Sequence, residues 1–284
     1  MPELPEVETI IRKLSEGTEG GSPLAGKIIR SADLQWEGCL VEPSPAEFRE
    51  RIVNQQIISI GRRAKYIHFN LSRDTLIIHL RMSGDLRVEN RLEPNILSLP
   101  HDRATLNFTD DFRLIFNDTR KFGRIWLTRE PEAILGKLGP EPLDPEFTPL
   151  EFHHRLAGRH RQLKPLLMDQ SFLSGLGNIY TDESLFEARL NPLQSSNELT
   201  YEKCEKLLIA IRVVLAEGIR RNGSSIDWAY KGGSFQNSFR VYQRTGKPCL
   251  TCGTIITKIV VGQRSTHFCP VCQPRYPSIM QEKY

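Results

Sequence analysis

An α+β chain is predicted, in which a β-sandwich domain with flanking helices precedes a helical domain and a small cysteine-bearing module. Three observations predict it. An amphipathic pattern begins at Pro5, short β-rich runs fill about 27–128, and helical periodicity takes over from 150 to 221 before two Cys-x2-Cys pairs. The 284 residues suffice for about two domains with sizeable cores. With 39% apolar and 25% charged residues, the composition excludes a disordered or fibrous protein. No stretch reaches the ~18 apolar residues of a membrane span, and Met1-Pro2-Glu3 is too acidic an opening for a secretory leader. No membrane partner and a cytoplasmic address are therefore expected. The net charge of +4 is mild but uneven, since 240–284 holds seven Lys or Arg against Glu282 alone. A basic end of this kind suits a nucleic-acid partner.

The elements follow in order. Val7, Ile10, Ile11 and Leu14 fall at i, i+3, i+4 and i+7, with Pro5 suited to a first turn, so a helix opens the chain. Only four residues precede it, which holds the terminus close to the helix's positive end. Runs rich in Ile, Val, Phe and Leu at 65–71, 75–80, 104–108, 113–116 and 124–128 read as strands, separated by turns such as Ser83-Gly84 and Asp110-Asp111. Their even spacing predicts a sandwich or barrel. Four prolines in 139–149 read as an interdomain connection. Helices are expected over 150–157, 162–169, 179–188 and 200–221, and two strands, 254–261 and 265–268, around a turn at Gly262-Gln263-Arg264. The expected organisation is thus a domain over 1–138, a linker over 139–149, a helical domain over 150–238 and a terminal module over 239–284.

Three motifs carry chemistry. Cys249, Cys252, Cys269 and Cys272 form a C-x2-C-x16-C-x2-C pattern, the spacing of a tetrahedral four-thiolate zinc site. Disulfides are the alternative, but an intracellular chain seldom keeps them. Four thiolates leave no open coordination position, so one structural Zn2+ is expected. Cys39 and Cys204 read as buried or idle thiols. The run Ser174-Gly175-Leu176-Gly177-Asn178-Ile179-Tyr180 places glycines before a helix start, where free amides bind phosphate and Asn178 could add a donor. A tight turn between helices accounts for the same glycines. Arg155, Arg159, Arg161 and Lys164 crowd the preceding segment, either for phosphate or as a solvated basic face. At the terminus, removal of Met1 would make Pro2 a secondary amine, with a reference pKa of about 8 that the helix dipole lowers. A neutral amine there could attack a sugar C1′ to form an iminium, with Glu3 as general acid. The residues alone favour an ordinary helix entry.

The opening Met1-Pro2-Glu3-Leu4-Pro5-Glu6-Val7-Glu8-Thr9 closely resembles that of the bacterial formamidopyrimidine-DNA glycosylases (Fpg/MutM), base-excision enzymes for oxidised purines. The resemblance runs nearly the whole chain. It continues through Arg62-Arg63-Ala64-Lys65-Tyr66, His79-Leu80-Arg81-Met82-Ser83-Gly84, Arg120-Lys121-Phe122-Gly123, Leu138-Gly139-Pro140-Glu141-Pro142, Gly175-Leu176-Gly177-Asn178-Ile179-Tyr180 and the cysteine ribbon. It implies a β-sandwich domain, a helix-two-turn-helix domain and a zinc finger, with damaged double-stranded DNA held in the cleft between domains by a monomeric chain. It also implies roles. Pro2 would be the Schiff-base nucleophile, Glu3 the proton donor to the sugar or base, Lys65 a β-elimination and phosphate-binding residue, and Arg264 a δ-elimination residue that also grips backbone phosphate. Met82, Arg120 and Phe122 match the set that fills the void left by an extruded base, a filling that must offset a few kcal/mol of lost stacking. His101, Arg120, Arg159 and Asn178, with His79 as a weaker addition, match positions that hold DNA.

The sequence departs from the family at three places. The stretch 223–236 is a few residues shorter than the usual lesion-capping loop, residues 273–284 make a longer tail, and Arg103 stands where relatives commonly carry histidine. The implied activity is glycosylase with AP lyase, by β,δ-elimination and without organic cofactor. Two alternatives stay open: the sister endonuclease VIII group, selective for oxidised pyrimidines, and a binding module that keeps the fold without the chemistry.

Overall fold

The amphipathic start folds as expected into α1 (Leu4–Glu16), whose Leu4, Val7, Ile10, Ile11 and Leu14 are buried. The computed structural model describes residues 1–17, 22–91, 99–225 and 232–275. Parts of the expected capping loop, 226–231, and of the tail, 276–284, lie outside the described residues. Two compact units divide the chain, one of Met1–Lys137 with Asn222–Gly233, the other of Leu138–Arg221 with Ser234–Tyr284.

In the first unit α1 is followed by β1 (Ile29–Leu34), β2 (Leu40–Glu42), α2 (Pro45–Ile52), β3 (Ile57–Arg63), β4 (Tyr66–Leu71), β5 (Thr75–His79), β6 (Gly84–Asn90), β7 (Asp102–Phe108), β8 (Phe112–Asp118), β9 (Arg124–Thr128) and α3 (Glu132–Leu135). Ser44 starts α2 by accepting the Glu47 amide on its hydroxyl at 3.3 Å. The strands form a four-stranded sheet in the order β1-β7-β8-β6 and a five-stranded sheet in the order β2-β9-β5-β4-β3. All pairings are antiparallel except that of β2 with β9. Leu76, Ile78 and Ile125 of one sheet and Leu86, Ala104, Leu106, Leu114 and Phe116 of the other share one buried cluster, joined by Phe48 of α2. The expected sandwich is present, and each leucine, isoleucine or phenylalanine of the cluster contributes about 2 kcal/mol by leaving water.

Several elements exceed the expectation. β6 reads Gly-Asp-Leu-Arg-Val-Glu-Asn, so only Leu86 and Val88 signal a strand. Its polar positions are paired across the sheet instead: Arg87 donates to both Asp102 oxygens at 2.8 and 2.7 Å, and Glu89 accepts from Arg113 at 2.7 Å.

The second unit holds α4 (Pro149–Ala157), α5 (Leu163–Leu167), α6 (Asn178–Glu187), α7 (Tyr201–Arg220) and a hairpin of β10 (Thr257–Val261) with β11 (Arg264–Phe268). The expected linker is not a free connection. Arg212 of α7 donates to the carbonyls of Pro142, Asp144 and Phe147 at 2.7, 3.0 and 2.6 Å, and Gly139 donates to Gln170 at 2.8 Å, which fixes 139–149 within this unit. Helix α6 is buried from Ile179 to Phe186, Asp182 and Glu183 included, and so lacks an amphipathic pattern.

Candidate active site and nucleic-acid interface

Pro2 and Glu3 are both buried at the start of α1. Glu3 is the N-cap and shares a capping box with Glu6: the Glu3 side chain accepts the Glu6 amide, and Glu6 Oε2 accepts the Glu3 amide at 2.8 Å. The other Glu6 oxygen accepts the Ser224 amide at 2.7 Å and its hydroxyl at 3.1 Å. The motif therefore ties the segment that begins the expected capping loop to the helix start. Gly223 is required there, since its φ is +74° and a Cβ would meet Glu6 Oε1 at 2.7 Å. Met1 precedes Pro2, so the Pro2 nitrogen is an amide in the encoded chain and becomes an amine only when Met1 is cleaved.

Lys65 occupies the two-residue turn between β3 and β4, where Arg63 pairs with Tyr66 and Ala64 takes a φ of +54°. Arg62 braces that turn against α1, with Nε on Glu8 at 2.9 Å and Nη1 on the Ala64 carbonyl at 3.1 Å. Neither Glu6 nor Arg62 is distinguishable by sequence spacing, because each acts through a partner far along the chain. In register, Tyr66 faces His79 and His79 faces Arg124, so one end of the five-stranded sheet carries this row. His79 is buried, accepts the Arg81 amide on Nδ1 at 3.0 Å and packs edge-on against Tyr66 at 4.5 Å. Burial, with Arg81 and Lys65 nearby, lowers its pKa to about 3, so the ring is neutral and, with Nδ1 accepting, carries its proton on Nε2.

Met82 lies on the turn between β5 and β6, and Arg120 and Phe122 on the turn between β8 and β9. Arg120 and Phe122 are exposed, with the guanidinium 5.0 Å from the Phe122 ring centroid. His101, exposed with a φ of +78°, precedes β7. The first unit thus contains Pro2, Glu3, Lys65, His79, Met82, His101, Arg120 and Phe122.

The second unit carries Arg159, Asn178, Arg264 and the four cysteines. Gly175, at a φ of +97°, shapes the approach to α6, and Gln170 braces it by accepting the Gly175 amide at 2.9 Å and donating to the Leu176 carbonyl at 2.8 Å. Asn178 opens α6, its Nδ2 lies 3.5 Å from Ser265 Oγ, and its Oδ1 is buried without a partner among the described residues. Of the four basic residues before the glycine turn, three are engaged within the unit. Arg155 donates to the Phe172 carbonyl at 2.9 Å, Arg161 pairs with Asp169 at 2.7 Å, and Lys164 is fully buried. Arg159 is exposed, its carbonyl accepting Ser196 Oγ at 2.6 Å. Lys164 instead bonds Asp182 Oδ1 at 2.6 Å and the Ser265 carbonyl at 2.7 Å, while Asp182 Oδ2 accepts the His267 amide at 2.9 Å. This network holds β11, and with it the exposed Arg264, against α5 and α6.

The cysteines converge. Their Sγ atoms all lie within 4.8 Å of one another, with Cys249–Cys272 at 3.9 Å and Cys252–Cys269 at 3.5 Å. A tetrahedron of thiolates around zinc has sulfur–sulfur edges of about 3.8 Å, so the set fits one Zn2+. Amides of Thr251 and Cys272 approach Cys249 and Cys269 sulfur at 3.4 Å, as thiolate ligands favour. Gln273 completes the module by accepting the Cys269 amide at 2.9 Å and donating to the Leu190 carbonyl at 2.9 Å.

Comparison with known proteins agrees with this fold and with the four-cysteine set. Residues 1–125 match the formamidopyrimidine-DNA glycosylase N-terminal domain, 138–229 the formamidopyrimidine-DNA glycosylase H2TH domain, and 246–275 a zinc finger found in FPG and IleRS. The formamidopyrimidine-DNA glycosylase of Chloroflexus aurantiacus is 45% identical over 280 residues, 96% of this chain and 98% of its own. That of Protochlamydia amoebophila is 42% identical over 284 residues, 97% of this chain and all of its own. Among solved structures, Lactococcus lactis Fpg (MutM) with a DNA containing N7-benzyl-Fapy-dG has a TM-score of 0.87 at 35% identity, covering 96% of this chain and 100% of that one. The same protein bound to an AP-site DNA aligns equally well.

Proposed function

The chain belongs to the formamidopyrimidine-DNA glycosylase family, and from that premise we infer that it is a bifunctional DNA glycosylase and AP lyase excising oxidised purines, 8-oxoguanine and formamidopyrimidines, from duplex DNA. In this reading the Pro2 amine, freed by loss of Met1, attacks C1′ of the damaged nucleotide. The glycosidic bond breaks and the base leaves; the C1′–O4′ bond then opens to an iminium as Pro2 gives up its N–H proton, with Glu3 supplying a proton to the departing base or to O4′. Loss of a C2′ proton then expels the 3′ phosphate, and a second elimination expels the 5′ phosphate. Lys65 serves the first elimination and grips phosphate, and Arg264 serves the second. Met82, Arg120 and Phe122 fill the void, while His101, Arg159 and Asn178 hold backbone and His79 adds to them through Nε2. Cys249, Cys252, Cys269 and Cys272 hold a structural zinc that supplies folding energy to the hairpin carrying Arg264. Among the described residues no helix is long and apolar enough to cross a membrane. We place the activity in the bacterial cytoplasm, on nucleoid DNA.

The observation that carries the nucleophile assignment is the burial of Pro2 and Glu3 at the positive end of α1, locked by the capping box. Borohydride trapping on duplexes containing 8-oxoguanine, thymine glycol or an abasic site, with mass mapping of the adduct, tests it. An adduct at Pro2 on the 8-oxoguanine duplex, absent in Pro2→Gly while damaged-DNA binding persists, is expected. Trapping on thymine glycol alone would place the substrate among oxidised pyrimidines, and equal trapping by Pro2→Gly would remove the nucleophile assignment.

A further inference from the structure

Met82, Arg120 and Phe122 sit on two different turns, yet a wedge that replaces an extruded base has to present them together. One buried carboxylate joins the two turns. Asp118, the last residue of β8 and fully buried, lies opposite Gly84 in the sheet. Its Oδ1 accepts the Ser83 hydroxyl and, at 3.2 Å, the Arg120 amide; its Oδ2 accepts the Gly123 amide at 2.7 Å. Ser83 Oγ accepts the same Arg120 amide at 3.0 Å, so the hydroxyl beside Met82 and the amide of Arg120 meet on one oxygen. The backbone of Asp118 reaches a third segment. Its amide donates to the His101 carbonyl at 2.9 Å and its carbonyl accepts Arg103 Nε at 2.7 Å. Arg103 Nη2 in turn lies 3.1 Å from His101 Nδ1.

The sequence around Asp118 leaves this arrangement little freedom. Lys121 takes a φ of +62°, and a Cβ on Gly123 would meet the Phe116 ring at 2.3 Å and Asp118 Oδ2 at 3.2 Å. A buried carboxylate accepting three short-range donors makes charge-assisted bonds that are costly to break. A wedge on mobile turns would have to be ordered at each insertion, whereas one held by such a hub is ordered beforehand.

We propose that Asp118, acting through Ser83, is the positioning residue that couples the two turns into one rigid wedge, so that Met82, Arg120 and Phe122 enter the void as a unit. This rests on the reading of those three residues as void-filling. Asp118 touches no DNA in this scheme.

The test compares the wild-type chain, freed of Met1, with Asp118→Asn, Ser83→Ala and Ser83→Thr. Three readouts are used: glycosylase turnover on an 8-oxoguanine duplex, the fluorescence of 2-aminopurine placed opposite an abasic analogue in a duplex, and lyase activity on a single-stranded abasic oligonucleotide. The last needs the Schiff-base residues but offers no void. Asp118→Asn should lose about tenfold or more in turnover and most of the fluorescence rise, in line with a broken buried charged bond, while keeping the single-strand lyase rate. Ser83→Ala, which leaves the buried carboxylate in place, should fall between, and Ser83→Thr should recover. Variants that match wild type in turnover and fluorescence would overturn the proposal. So would an equal loss on single-stranded and duplex substrates, which would mark Asp118 as general support of the domain. A wild-type chain inactive on the single-stranded abasic site would instead overturn the activity reading itself.

Discussion

At the residue scale, His79 shows how the sheet end trades solvation for order. Its ring is enclosed by Tyr66 and the 80–83 turn, and Nδ1 is committed as an acceptor to the Arg81 amide. Desolvation first, then the charges of Arg81 and Lys65, lower its pKa from 6.5 to about 3. The folded state therefore binds no proton at this ring where the unfolded chain does, and stability falls as pH drops from 6.5 to about 3. Going from pH 7 to pH 5 this amounts to about 2 kcal/mol. Urea midpoints of wild type and His79→Gln at both pH values check it: wild type should lose about that much more than the variant. Parallel losses would show that the ring is solvated or charged in the fold.

At the element scale, the pair of Lys164 on α5 and Asp182 on α6 does what no short-range pattern announces. Both side chains are wholly buried, and through the Ser265 carbonyl and the His267 amide they fix β11. Lys164→Met should cost about 3–5 kcal/mol, because it leaves Asp182 as a buried charge without its cation. Thermal unfolding followed by far-ultraviolet dichroism would measure it, and a loss below about 1 kcal/mol would mean that water or rearrangement replaces the ammonium. The same pair marks where sequence reading ends. Strands with apolar alternation, β4 and β9, and helices with a buried stripe, α1 and α4, were legible because one face meets the core, and β5 because its Leu-Ile-Ile run is buried on both faces. β6 was not, since its charges are satisfied by Asp102 and Arg113, partners set by pairing rather than by neighbours. The cysteines were legible because metal ligation constrains local spacing. Pro2, Glu3, Lys65 and Arg264 took their roles from the resemblance, whereas Asp118, Glu6 and Arg62 act through distant contacts that appear only on folding.

At the scale of the whole molecule, the net charge of +4 is too small to hold a polyanion without placement, and the basic excess over 240–284 makes the zinc module the natural carrier. A two-stranded hairpin of five-residue strands is marginal by itself in water. Zinc supplies the missing energy, because the binding free energy of a four-thiolate site is folding free energy. The helices α4 to α7 have their own buried core, so removing the metal should melt the hairpin and leave most helical signal. Cys252→Ser, or stripping the protein with a strong chelator, is expected to release one zinc and weaken binding to a lesion duplex. It should also flatten the dependence of log affinity on log salt by about one unit for each phosphate no longer neutralised. Titrations at several salt concentrations separate this from a missing base contact, which would lower affinity at unchanged slope. An apo-protein with the affinity and slope of the zinc form would show that Lys164, Asp182 and Gln273 suffice to hold the hairpin, and that the metal serves something other than the DNA grip.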